Sequence, residues 1–180
     1  MIGSQLFRRA AAGELALFEA AADATDDGLG TGETLNQTVA NIAFAEELLL
    51  LRAAKSLTLA SIGAAHRAYG DGARNEQEII AEIADMVMDV YAMESALLRT
   101  QRLLNDRGFE ATRIHADITR VFSRDAASRV EKAARAVASE TEDEKCSKAI
   151  DELAHRSPMK SVQARRRIAE AVTQAGKYNL

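Results

Sequence analysis

The stretch from Asn75 to Arg107, NEQEIIAEIADMVMDVYAMESALLRTQRLLNDR, decides the fold. Its apolar residues recur at Ile79, Ile83, Met86, Val90, Met93, Leu97 and Leu104. Steps of three and four keep one face of an α-helix apolar over about seven turns. Ile80, Val87, Tyr91 and Leu98 widen the stripe, so this helix is expected to be the central one, buried on more than one side. Asn75, with Glu78 three residues later, opens it, and Arg107-Gly108 closes it.

Working outward, the same punctuation divides the rest of the chain. Towards the N-terminus, Asp71 to Arg74 is a short turn and Gly70 stops a helix that runs back to about residue 34. That helix opens on Thr34-Leu35-Asn36-Gln37, a capping box in which the Thr hydroxyl and the Gln amide each satisfy a free backbone N–H. Asp26 to Gly32 holds three glycines and reads as a loop. Before it, Ser4 caps a first helix to about Ala24, with Gly13 as a weak point inside. Towards the C-terminus, a helix from about Glu110 to Ser139 carries Ile114, Ile118, Val121 and Phe122, and then drifts towards Val130, Ala134 and Val137. A bend at Ser123-Arg124-Asp125 accounts for the drift. Thr141-Glu142-Asp143-Glu144 is read as a second capping box for a short helix through His155. Ser157-Pro158 opens a last helix that ends at Gly176, with proline at the position where its missing N–H costs nothing.

The expectation is therefore an all-α protein: an antiparallel helical bundle of about six helices joined by short loops. It is one domain overall, with residues 1–33 as an N-terminal helix and loop and residues 34–180 as the bundle.

Composition agrees. Of 180 residues, 47% are hydrophobic, 28% charged and only 4% aromatic, and there is a single proline. The formal net charge of −4 disfavours a nucleic-acid partner. Cys146 is the only cysteine, so no intrachain disulfide can form, which suits a reducing compartment such as the cytoplasm. No uninterrupted apolar run approaches the roughly 20 residues of a spanning helix, and Arg8-Arg9 is not followed by a secretory apolar core.

No self-sufficient catalytic constellation is present. GxGxxG, the P-loop, GxSxG and HExxH are all missing. Glu152 and His155 form one Glu-x-x-His step, the unit that di-iron bundles use in pairs, but no second copy exists; a solvated pair is the expectation and a ferritin-like metal site the last-ranked rival. Cys146 lies beside Lys145 and Lys148, where a reactive thiol competes with a bland half-buried one. Met86, Met88 and Met93 are expected in the core. Arg113, Arg120, Arg124 and Arg135 share one sector of a helix, and Arg165, Arg166 and Arg167 form a second basic cluster. Together they are a candidate surface for a partner protein or an anionic membrane. Asp117 and Glu131 fall in the first sector and weaken its field, so a solvated face is the competing reading.

A family resemblance goes further. His66-Arg67-Ala68-Tyr69-Gly70 through Ile83-Ala84-Asp85-Met86 resembles the acyl-CoA dehydrogenase C-terminal helical domain, in which Arg-x-x-Phe-Gly is followed at fixed spacing by Gln and then by Ala-Asp-Met. Gln77 stands eight positions after Tyr69, and Asp85 eight after Gln77, as in the family. The N-terminal segment Met1-Ile2 through Gly13-Glu14-Leu15 and the C-terminal Arg166-Arg167-Ile168-Ala169-Glu170-Ala171-Val172, with Gly176-Lys177-Tyr178, resemble the region after the catalytic part of very-long-chain-type acyl-CoA dehydrogenases.

The resemblance implies a C-terminal extension of an FAD-dependent enzyme of fatty acid β-oxidation. Packing, assembly or membrane docking would be its work. The catalytic part of the parent would be its partner, in a homodimer. In the family the Arg and the Gln contact FAD bound by a neighbouring subunit. The corresponding residues here are His66 and Gln77, a vestigial cofactor-binding pair. His66 replaces the arginine, and Arg67, one residue on, points about 100° away. The family's catalytic glutamate, in a Tyr-Glu-Gly-Thr segment, has no counterpart. No catalytic residue, no metal and no cofactor is therefore expected on this chain alone. The alternative function is a stand-alone helical interaction module.

Overall fold

The computed structural model describes residues 2–26, 44–156 and 161–176. These residues form six α-helices and one 3₁₀ turn, without a strand among them. The helices are α1 (Ile2–Ala11), α2 (Leu17–Asp26), α3 (Ala45–Tyr69), α4 (Gln77–Thr141), α5 (Glu144–Arg156) and α6 (Ser161–Ala175). The capping box at residues 34–37 and the Ser157-Pro158 start lie outside the described residues.

The expected first helix is in fact two. Gly13 takes a left-handed φ of 72° and ends α1, and the next turn is tied off where Arg9 Nε donates to Glu14 Oε2 at 2.9 Å. The weak point seen in sequence is a break.

The 65 residues of α4 do not run straight, which would make a rod of roughly 97 Å. Gly108, at φ 78° and ψ 171°, lies in a region that only glycine enters readily, and the chain reverses there. The arms 77–107 and 109–141 then run antiparallel. Thr100 and Thr119 share a buried hydroxyl–hydroxyl bond of 2.7 Å, and Arg129 donates to both oxygens of Asp89. Asp89 thereby holds the Arg129 guanidinium above its ordinary pKa. The two helices expected at 75–107 and 110–139 are these arms. Ser123-Arg124-Asp125 causes no break: Gly108 is the one residue of α4 with non-helical backbone angles.

The central helix is α3, not the first arm of α4. Buried residues ring α3: Leu50, Ala53, Ala54, Leu57, Ala60, Ile62, Gly63, Ala64 and Ala65 among them. Small side chains let α2, α4 and α5 approach it from several sides. The first arm buries one face (Ile79, Ile83, Met86, Val90, Met93, Leu97), while Tyr91 is 72% exposed, Leu98 61% and Met88 46%. Met86 and Met93 are core residues as expected; Met88 is not.

The second capping box is also corrected. The Thr141 hydroxyl bonds back to the Val137 carbonyl inside α4. Glu142 turns left-handed at φ 50°, and Asp143 caps α5 by accepting from the Cys146 N–H at 2.9 Å. The cap therefore lies two residues later, and α5 buries Cys146, Ile150 and Leu153 against the bundle. Gly176, at φ 63°, ends α6 as expected, its N–H donating to the Val172 and Thr173 carbonyls.

A Cβ at Gly108 would meet no atom within 4 Å, so substitution there is a test of backbone strain alone. Gly108→Ala is expected to destabilise by about 1–3 kcal/mol, read as a lower urea midpoint with retained helicity. An unchanged midpoint would show that the reversal does not need glycine.

Candidate functional site

The corner between α3 and α4 holds the residues singled out by the family resemblance. Gly70, at φ 54°, terminates α3 and returns its N–H to the His66 carbonyl. A 3₁₀ turn over Gly70–Asn75 then leads to Gln77, the first residue of α4. His66 and Gln77 thus flank one corner. Helices α1 and α2 close over it: Phe7 is buried, its ring 6.0 Å from that of Phe18, with Ile62, Ile79, Ile80, Ile83 and Val137 beneath. The close approach of α1 needs Gly3, where a Cβ would fall 2.6 Å from the Ile80 carbonyl oxygen.

The imidazole of His66 stacks flat on Phe18, with centroids 3.9 Å apart and planes 12° apart. Its Nδ1 is buried without a hydrogen-bond partner. Gln77 is exposed and lines a different cleft, of about 620 Å³, with Gly3, Gln5, Arg8, Arg74 and Asn75. His66 lines a smaller one of about 280 Å³ with Phe7, Phe18, Gly70 and Asp71. Arg8 and Arg74 border both clefts, but His66 and Gln77 do not share one. Arg67 points away, as its place on the helix requires: it pairs with Asp143 at 2.8 Å, at the α4–α5 junction. His66, stacked on Phe18, and Gln77 therefore do not face one ligand, and the cations beside Gln77 are Arg8 and Arg74.

The basic clusters resolve into pairs. Arg167 Nε and Nη2 donate to the two oxygens of Asp117, each at 2.7 Å. Arg120 donates to Glu47 at 3.1 Å, lies 3.8 Å from Asp117, and sits over the Phe44 ring at 5.6 Å. Asp117 and Glu47 are both buried, so α3, the second arm of α4 and α6 meet in one charge network. Asp117 holds the Arg167 guanidinium above its ordinary pKa. Arg165 donates to both Asp125 oxygens, Arg135 pairs with Glu131 one turn away, and Arg124 is engaged as well. Arg113 and Arg166 are exposed. The sequence had placed Asp117 in the arginine sector of its helix. Glu47, seventy-three residues from Arg120, carried no local signal.

The remaining candidates are structural in geometry. His155 directs Nδ1 at the Asp151 carbonyl, and Glu152 is exposed. Among the described residues no group of His, Cys, Asp and Glu is placed to hold a metal ion. Cys146 is buried 3.5 Å from the Ser61 hydroxyl, and burial pushes its thiol pKa up, away from the reactive thiolate. The segment Ala45–Asn75 is long and apolar enough to cross a membrane, but 72% of its apolar window is buried within the bundle.

The fold is that of a helical domain built on two antiparallel arms and one small-residue helix. The chain belongs to the acyl-CoA dehydrogenase family: the family model "Acyl-CoA dehydrogenase, C-terminal domain" matches residues 52–150. It is 29% identical, over its whole length, to a probable acyl-CoA dehydrogenase of Bacillus subtilis, and covers 30% of that protein. Its fold is similar, at a TM-score of 0.88 and 27% identity, to an acyl-CoA dehydrogenase complexed with FAD from Bacillus anthracis, covering 99% of this chain and 31% of that one. The chain thus spans about a third of the length of these relatives.

Asp117→Asn removes the carboxylate shared by Arg167 and Arg120. The expected outcome is a lower unfolding midpoint and faster hydrogen exchange across residues 164–172, with protection retained around Met93. Asp125→Asn, in an exposed pair, is expected to change stability by only about 0–1 kcal/mol. Equal effects of the two substitutions would show that burial of the pair does not set its contribution.

Proposed function

We propose that this chain is the C-terminal helical module of an FAD-dependent fatty acyl-CoA dehydrogenase of the very-long-chain type, non-catalytic by itself and acting in packing and assembly. The observation that carries this reading is the end-to-end match of the chain to about a third of a dehydrogenase. The α-proton of an acyl-CoA must be removed by a positioned base. The family's Tyr-Glu-Gly-Thr segment, which carries that base, has no counterpart in this sequence, and the base is assigned to the parent's catalytic part. His66 and Gln77 are read as a vestigial flavin pair: the stacking of His66 on Phe18 and the separation of the two clefts support this. FAD then belongs to the parent alone, in a cytoplasmic homodimer.

A second reading, docking to a partner or an anionic membrane surface through the basic clusters, has narrower support. Four of the seven arginines, Arg120, Arg135, Arg165 and Arg167, are committed to carboxylates of the bundle. Arg113 and Arg166 remain as its exposed contributors. Vesicle flotation of an Arg113→Glu, Arg166→Glu variant addresses it.

The purified chain, mixed with a fatty acyl-CoA and a dye acceptor, is expected to reduce no dye. The whole dehydrogenase lacking this module is expected to keep its flavin but to lose its assembled elution volume. Dye reduction by the chain alone, or unchanged assembly of the truncated enzyme, would overturn the proposal.

A further inference from the structure

Beyond its buried stripe, the first arm of α4 carries a second apolar face. Ala84, Met88, Tyr91, Ser95 and Leu98 follow one another at steps of three and four, so they share one side of the helix. At about 100° per residue this side lies roughly 140° from the core side marked by Ile83, Met86, Val90 and Met93. From Ala84 to Leu98 it contains no charged residue, although the arm between those positions carries Asp85, Asp89 and Glu94 elsewhere on its circumference. A solvated helix face would carry such charges itself. Instead Met88, Tyr91 and Leu98 stand open, with Phe109, 54% exposed, at the reversal beyond them. Two turns earlier, α1 covers the arm at Ile80 and Ala84; past Ala84 no described element lies over it. One edge of the face borders a groove of about 440 Å³ lined by Met88 and by Glu82, Asp85 and Asp89 together with Arg129 and Lys132. Asp89 is satisfied by Arg129, whereas among the described residues Glu82 and Asp85 make no ion pair.

We infer that the Met88–Tyr91–Leu98 face is the surface by which this module docks on the catalytic part of its parent dehydrogenase, against an apolar helical surface with a basic rim facing Glu82 and Asp85. The inference rests on the reading given under Proposed function. The relatives are about three times longer than this chain, so most of such a protein must pack outside it. An uncharged seam spanning four turns is the surface chemistry that packing of helix on helix requires. Glu82 and Asp85, the carboxylates of that groove outside the Asp89–Arg129 pair, set the orientation.

The test uses the whole protein that carries this chain. A photoreactive benzoylphenylalanine is placed at Tyr91, at Leu98 and, on α6, at the exposed Val162, and cross-linked peptides are sequenced. The expected products join positions 91 and 98 to the catalytic part, and Glu82→Lys with Asp85→Lys reduces their yield several-fold at unchanged helicity. Cross-links to the catalytic part from position 162 alone would overturn this face while leaving the module reading intact. Products joining position 91 to position 91 of a second copy would overturn the occupant. No product with a dehydrogenase catalytic part from any position would remove the module reading as well.

Discussion

The bundle depends on one backbone reversal. At Gly108 the helical angles give way to φ 78°, and a helix long enough to be a rod becomes a hairpin. Once the arms are antiparallel, Thr100 can meet Thr119 and Arg129 can reach Asp89. The two arms then share one core with α3, a helix of small residues. That is why α3, with alanines at 53, 54, 60, 64 and 65, lies at the centre. A larger set of side chains there would hold the arms apart and cost both packing and dispersion contacts.

The C-terminal helix is held differently. Among the described residues of α6 only Ala164 is fully buried, and a 15-residue helix is marginal in water without tertiary contacts. What fixes it is directional: Arg167 gripping Asp117 at both oxygens, beneath half-buried Ile168 and Val172. Asp117 is 1% exposed, so its charge is tolerable only while paired, and Arg120 stands 3.8 Å away as a second cation. Clusters of arginine that look like a binding surface in sequence are, for Arg120, Arg165 and Arg167, the fastening of one helix to another.

Much of this was legible in the residues. The heptad-like steps of Ile79 to Leu97 gave a helix with the correct buried face, and Gly70, Gly108 and Gly176 each mark a helix end in the structure. What escaped was whatever depends on distant partners. Tyr91 and Leu98 are apolar and in phase with a wide stripe, and nothing local says that they face outward. Thr141 and Asp143 both have cap chemistry. Only the left-handed turn at Glu142, together with the pull of Arg67 on Asp143, selects the second. The resemblance singles out His66 and Gln77, which flank one corner in the structure. That α2 brings Phe18 down onto His66, and α1 lies across the first turns of α4, is decided by packing from the other end of the domain.

The corner keeps the family's helical geometry, while His66 and Gln77 open on different clefts. The His66 ring is stacked on Phe18 at 3.9 Å, with its Nδ1 buried and unpartnered. The most direct measurement is equilibrium dialysis of the isolated chain against FAD. Equal flavin on both sides of the membrane at every concentration is the expected result. A saturable excess that approaches one flavin per chain, and falls when Gln77 is replaced by Ala, would contradict it.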